Sequence, residues 1–222
     1  MLPEIILSLM SFTLAVWQTT PKDINDLIVQ ASDINENDDW QPFPIGMQYN
    51  YKFNYNKGQL IQQGSHSKTV LAAFNEMTDS RRRPHGINRK LITNNLKLNN
   101  INNSFIDSTT YFLSLPDYKF VISPEGNGID CHRTYEALIA GCIPIVENNP
   151  DIKEKYRGCP ILYTYDYSEI NTDYLNMTYE KMLNTEYDFS PLFLSYYSGE
   201  EQKLIKNAGN HWMQKLTNEH WY

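Results

Sequence analysis

Residues 118–146 read YKFVISPEGNGIDCHRTYEALIAGCIPIV. The apolar run at 118–123 suits a strand buried on both faces. Pro124, Gly126 and Gly128 then turn the chain. A helix follows over 131–140, with Tyr135, Leu138, Ile139 and Cys142 at helical spacing on its core side, and Gly141 ends it. The apolar run at 143–146 is a second strand. Strand, glycine turn, helix and strand in 29 residues make a βαβ unit, which implies a parallel sheet with a right-handed crossover. Ligands of such sheets bind at the carboxyl ends of the strands, so the site is expected at the loop 123–130.

The pattern extends outward from this unit. Apolar runs at 69–74 and 161–164 add two buried strands, and a short strand is expected at 105–106. Helices are expected at 87–96, 109–115, 173–184 and 199–216. A polar loop at 75–86 carries Arg81, Arg82 and Arg83. Toward the N-terminus, 23–31 reads as a short helix followed by a polar loop. Residues 41–47 read as extended, because a residue before proline is pushed out of the helical region, and an Asn- and Tyr-rich linker runs on to 64. The fold class is α/β: a Rossmann-like parallel sheet flanked by helices over 61–222, preceded by a separate N-terminal portion, 1–60.

Composition narrows the function. The chain has 222 residues, 41% hydrophobic and 20% charged, with a formal net charge of −7. That is enough apolar material for a core. The acidic balance disfavours a general duplex-DNA binder, so no nucleic-acid partner is expected. A mean hydropathy of −0.53 excludes a polytopic membrane protein. The uncharged stretch 5–21 has two readings: a buried element of the fold, which Glu4 in place of a basic n-region favours, or a signal or anchor. Localisation therefore stays open between cytoplasmic and membrane-associated in the secretory pathway. Cys131, Cys142 and Cys159 form no Cys-x-x-Cys pair, and Cys131 and Cys142 read as buried free thiols. The five histidines have no metal-ligand spacing, and no metal or other cofactor is expected. Ser123 is not in a Gly-x-Ser-x-Gly elbow.

Gly126 and Gly128 let the backbone approach a ligand closely. Asp130 is placed to cap the helix, which puts His132 and Arg133 in its first turn. Cations there oppose the positive end of the helix dipole unless an anion sits nearby. Arg133 and Glu136 lie three apart, either as a surface ion pair or as ligands for a diphosphate and a ribose diol. Arg81, Arg82 and Arg83 are either a solvated loop or a phosphate clamp at the same sheet edge.

Residues 120–146 resemble the donor-binding segment of exostosin-type glycosyltransferases: a strand, Pro-x-Gly, then Arg-x-x-Glu-Ala-Leu, a small residue and x-Pro-Val. Glu136 to Val146 is also similar to the wider signature of two-Rossmann-domain (GT-B) glycosyltransferases. Weaker similarity runs from about Lys68 to Trp212, and residues 40–46 resemble the interdomain segment of such enzymes. The resemblance implies a metal-independent transferase moving a sugar from a nucleotide sugar to a hydroxyl of a carbohydrate or glycoconjugate. It implies that Glu136 binds the ribose, that Arg133 meets the diphosphate, and that Glu125, Gly126, Asn127 and Gly128 lie over the diphosphate-sugar. Ser123, His132 and Arg81–Arg83 complete the expected donor site. The absence of any Asp-x-Asp argues against the Mn²⁺-chelating class. The chain departs from the pattern at Gly128, where a related motif has a sugar-contacting Glu. It is also too short for two full domains, so 1–60 would be a truncated acceptor-domain remnant and linker. A partner chain could supply the missing half. The alternative is a non-catalytic nucleotide-sugar-binding or interaction remnant.

Overall fold

The structure is a computed structural model that describes residues 24–32, 44–50 and 66–222. The apolar stretch 5–21 and most of the proposed linker lie outside the described residues. Among the described residues, four strands form one sheet: β1 (Lys68–Leu71), β2 (Tyr118–Ile122), β3 (Ile143–Glu147) and β4 (Leu162–Thr164). They lie side by side in chain order, and every neighbouring pair is parallel. Phe120 pairs with Val70 on one side and Ile143 on the other, and Ile145 pairs with Leu162. All five residues of β3 are buried, as a central parallel strand requires. The chain is thus an α/β protein with a Rossmann-like parallel sheet flanked by helices.

The helices are α1 (Arg89–Leu98), α2 (Ser108–Ser114), α3 (His132–Ile139), α4 (Pro150–Lys155), α5 (Thr172–Met182) and α6 (Gly199–Thr217). Alternation along β2 shows how they cover the sheet, because successive side chains point to opposite faces. Phe120 and Ile122 enter the larger core with Ile92 and Leu96 of α1 and Tyr135 and Leu138 of α3. Val121 enters a smaller core with Leu71 and with Tyr111 and Phe112 of α2. The helix ends follow local chemistry. Asn88, Asp107 and Asn171 accept backbone N–H groups at the starts of α1, α2 and α5, and Ser198 with Glu201 closes a capping box on α6. At the end of α3, Gly141 N donates to Leu138 O and Cys142 N to Ala137 O, at 3.1 and 2.8 Å, the double bond of a Schellman stop.

Three local expectations are corrected. The helix expected at 23–31 is a single 3-10 turn, Ile24–Asp26, followed by extended chain bridged from Leu27 to Phe193 and from Val29 to Met47. Leu27, Ile28 and Val29 are all fully buried, whereas a surface helix buries only one stripe. No strand forms at 105–106, where Phe105 is fully exposed. Helix α4 was not expected. Asn149 caps it and Pro150 opens it, but Ile152 is its one buried residue, too little to give a periodic signal. No helix among the described residues is long and apolar enough to cross a membrane.

Candidate functional site

The loops leaving β1 and β2 meet at the carboxyl edge of the sheet. Ser123 is buried and holds the second loop down: its N–H donates to Ile145 O and its hydroxyl bonds Thr134 Oγ1, both at 2.9 Å. Arg89, at the start of α1, threads beneath the loop. Its guanidinium donates to Glu125 O, Pro124 O and Asn75 O at 2.8, 2.9 and 3.1 Å. A Cβ on Gly126 would sit 3.0 Å from Arg89 Nη2, so glycine is needed for this close approach.

Arg82 and Arg83 are committed to carboxylates. Arg82 Nη2 lies 2.6 Å from Glu125 Oε2. Arg83 pairs with Asp79 at 2.8 Å and Glu147 at 3.0 Å, with Glu125 at 3.4 Å. Burial works against the Arg83 charge, but Glu147 and Glu125 outweigh it and raise its pKa. Burial raises that of Glu147, with Arg83 opposing. These charges tie together the loops after β1, β2 and β3. Arg81 is exposed.

The start of α3 differs from the expected cap. Cys131 occupies the N-cap position without a side-chain hydrogen bond to the helix. Asp130 instead accepts from Tyr156 Oη at 2.7 Å, Ile45 N at 3.2 Å and Cys131 N at 2.9 Å, and pairs with Lys155. Asp130 is drawn away because a buried ammonium needs a counter-charge more than a helix end needs a cap. Burial pulls the Lys155 pKa down while Asp130 holds it up.

Arg133 therefore stands at the second helical position. Its guanidinium carbon lies 5.5 Å from the Tyr111 ring centroid, its Nη1 lies 3.8 Å from Cys131 Sγ, and its buried Nε has no hydrogen-bond partner. Neither Arg89 nor Arg133 has an ion-pair partner among the described residues. Burial opposes the Arg133 charge, and Tyr111, Cys131 and Glu136 more than offset it, so its pKa is raised. Glu136, 4% exposed, is no surface residue. Burial pushes its carboxyl up to about 7, against Arg133, the nearby Tyr111 hydroxyl and the Gln48 backbone.

These groups surround a cavity of about 520 Å³. Of the expected donor-site residues, Gly126, Asn127, Gly128, His132, Arg133 and Glu136 line it, whereas Ser123, Glu125, Arg81, Arg82 and Arg83 do not. Arg89 and Cys131 also line it. Gln30, Ile45 and Gln48 come from the N-terminal strips, and Trp212 and Leu216 from α6. The strips are in place because Met47 N donates to Ile28 O, Gln30 N to Met47 O and Ala31 N to Ile45 O, at 2.7–2.9 Å. Gly46 makes this pairing possible: its φ is +71°, and a Cβ there would lie 2.3 Å from Ile28 O. Trp212 Nε1 donates to Ser32 O at 3.1 Å.

No protein-family model matches the chain, and no curated protein does. Among the described residues there is no group of three or more His, Cys, Asp or Glu side chains placed to hold a metal ion.

Sequence reasoning missed the first N-terminal strip, at 27–31, which it read as a helix; the extended reading of 41–47 agrees with the second strip where that stretch is described, at 44–47. Arg89 was not among the expected site residues.

Proposed function

We propose that the cavity binds a nucleotide sugar and that the chain is the donor-binding half of a metal-independent glycosyltransferase acting on a hydroxyl acceptor. The observation that carries this reading is Arg133, whose guanidinium lines the cavity without an ion pair among the described residues and whose buried Nε has no hydrogen-bond partner. Elsewhere at the same sheet edge Arg82 and Arg83 are neutralised by Glu125, Asp79 and Glu147. A buried donor left without a partner is costly, and a bound anion would supply the missing acceptor. A diphosphate placed there would also meet the start of α3 and its dipole. As the glycosidic bond breaks, Arg133 would stabilise the charge gathering on the leaving diphosphate.

Glu136 lies one turn further along α3 and would accept from both hydroxyls of a ribose. Those hydrogen bonds favour the ionised carboxylate, so binding would expel a proton near pH 7. Calorimetric titration with nucleoside diphosphates and nucleotide sugars, followed by turnover assays on every ligand that binds, tests the reading. Absence of saturable binding by any diphosphate would overturn it.

A second reading, a binding module without transfer activity, draws on the N-terminal strips. Leu27, Ile28, Val29 and Met47 belong to the same core as the sheet, and their neighbours Gln30, Ile45 and Gln48 line the cavity. Binding without turnover for any acceptor, alone or with a partner chain, selects this reading.

A further inference from the structure

His132, the first residue of α3, lines the cavity and touches the strips that close it. Its Nδ1 lies 2.8 Å from Gly46 O, and its Nε2 lies 3.3 Å from Gln30 Nε2. The amide orientation of Gln30 is set independently, because its Oε1 accepts from Tyr49 N at 3.1 Å. The face that Gln30 turns to His132 is therefore its NH₂ group, a donor. Gly46 O is an acceptor. Both contacts are satisfied by one state of the ring alone: neutral, with the proton on Nδ1 and the lone pair on Nε2. A proton added to Nε2 would set that N–H against the Gln30 NH₂, donor facing donor.

We propose that neutral His132 is a latch that fastens residues 28–31 and 45–49 over the cavity, and that its protonation releases them. The groups acting on the ring besides Gly46 are Asp130, which favours the proton, and Arg133, which disfavours it. Asp130 is itself held by Lys155 and Tyr156. From the strips, Gln30 and Gly46 present no charge. Burial, the largest influence, moves the ring's pKa down. The fastened state thus binds the proton less readily than the released state, and acidification favours release. That the latch regulates access of a nucleotide sugar rests on the reading above; the latch itself does not depend on that reading and is tested without ligand.

Glu136 works in the opposite direction, since its raised pKa favours the closed cavity as pH falls. The experiment therefore uses the full chain carrying Glu136→Gln, with amide hydrogen exchange followed at pH 6.5 and 5.5 after correction for intrinsic rates. Protection at Gln30, Ala31, Ile45 and Met47 should fall up to about tenfold over that step, the limit for release linked to one proton. Protection in β2 should not change, which verifies that the fold is intact. A further Gln30→Glu substitution replaces the donor facing Nε2 with an acceptor, so protonation should then tighten the strips and the pH dependence should reverse. The latch is overturned if protection of the strips does not change with pH, or if Gln30→Glu keeps the original direction. Neither failure bears on whether a diphosphate binds the cavity.

Discussion

Arg89 and Arg133 meet at the sulfur of Cys131, with Nη2 of the first 3.9 Å and Nη1 of the second 3.8 Å from Sγ. They come from different helices and do different work. The Arg89 side chain is spent on the carbonyls of residues 75, 124 and 125, so it builds the loop. Arg133 has a buried Nε without a partner, so it is available to a ligand. Arg89→Ala should lower stability by at least about 3 kcal/mol, because it strands buried carbonyls. Arg133→Ala strands no carbonyl and loses only the Tyr111 ring contact and the charge near Glu136, so it should cost less stability than Arg89→Ala, and it should weaken nucleoside diphosphate binding by about 10- to 100-fold. Denaturant titration and calorimetry on both variants separate these outcomes. Equal stability losses would show that Arg133 is structural as well.

Glu136 gives stability a pH dependence with a definite sign. Its carboxyl is raised by burial to about 7 in the folded chain, so the folded state holds a proton that the unfolded state has released. Its effect is absent below the unfolded pKa, and stability declines as pH rises from about 4.5 to 7, by up to roughly 3 kcal/mol. Glu136→Gln should therefore stabilise the protein more at pH 8 than at pH 5 in denaturant titrations. The same variant should lose discrimination between ribose and 2′-deoxyribose nucleotides. A stability change independent of pH would contradict the assignment.

The three arginines of the 81–83 run should respond separately. Arg81 is exposed, and its Ala variant should melt like the parent. Arg83→Ala leaves Asp79, Glu125 and Glu147 without their shared partner and should cost roughly 3–5 kcal/mol. Thermal melts of the single variants decide this. A nucleotide-affinity loss in Arg81→Ala without any change in melting would instead restore a phosphate clamp.

Nucleotide binding should survive EDTA with unchanged affinity. The expectation rests on the missing Asp-x-Asp and on the Arg133 guanidinium and the helix start being sufficient for a diphosphate. Loss of binding on chelation, recovered with Mn²⁺, would reject it.

The sheet was legible because parallel strands buried on both faces leave short apolar runs with no polar gap, as in 118–122 and 143–146. The glycine turn and the stop at Gly141 were legible for a similar reason: each is a local backbone requirement. The ion network was not. Arg83 meets Glu125 and Glu147 across 42 and 64 positions, and a local count of charges sees the arginines alone. The spacing of Arg133 and Glu136 was visible, but their burial was not, since it depends on Tyr111 and on a strip at Gln48 from outside the sheet. Residues 27–29 misled because three consecutive buried apolar residues fit a short helix and a bridged strip equally well.

The strip that closes the cavity is fixed from the far end of the sequence. Tyr222 Oη donates to Leu27 O and accepts from Val29 N, across 195 and 193 positions, and Trp212 reaches Ser32 across 180. During synthesis the sheet loops, the guanidinium pair and Glu136 are all made before α6 has left the ribosome. A nascent chain at that stage lacks the Trp212 and Tyr222 anchors of this strip. Contacts so distant in sequence also form late, because the intervening chain must first be ordered. The wall of the proposed site is therefore completed last, by a chain whose sheet is already in place.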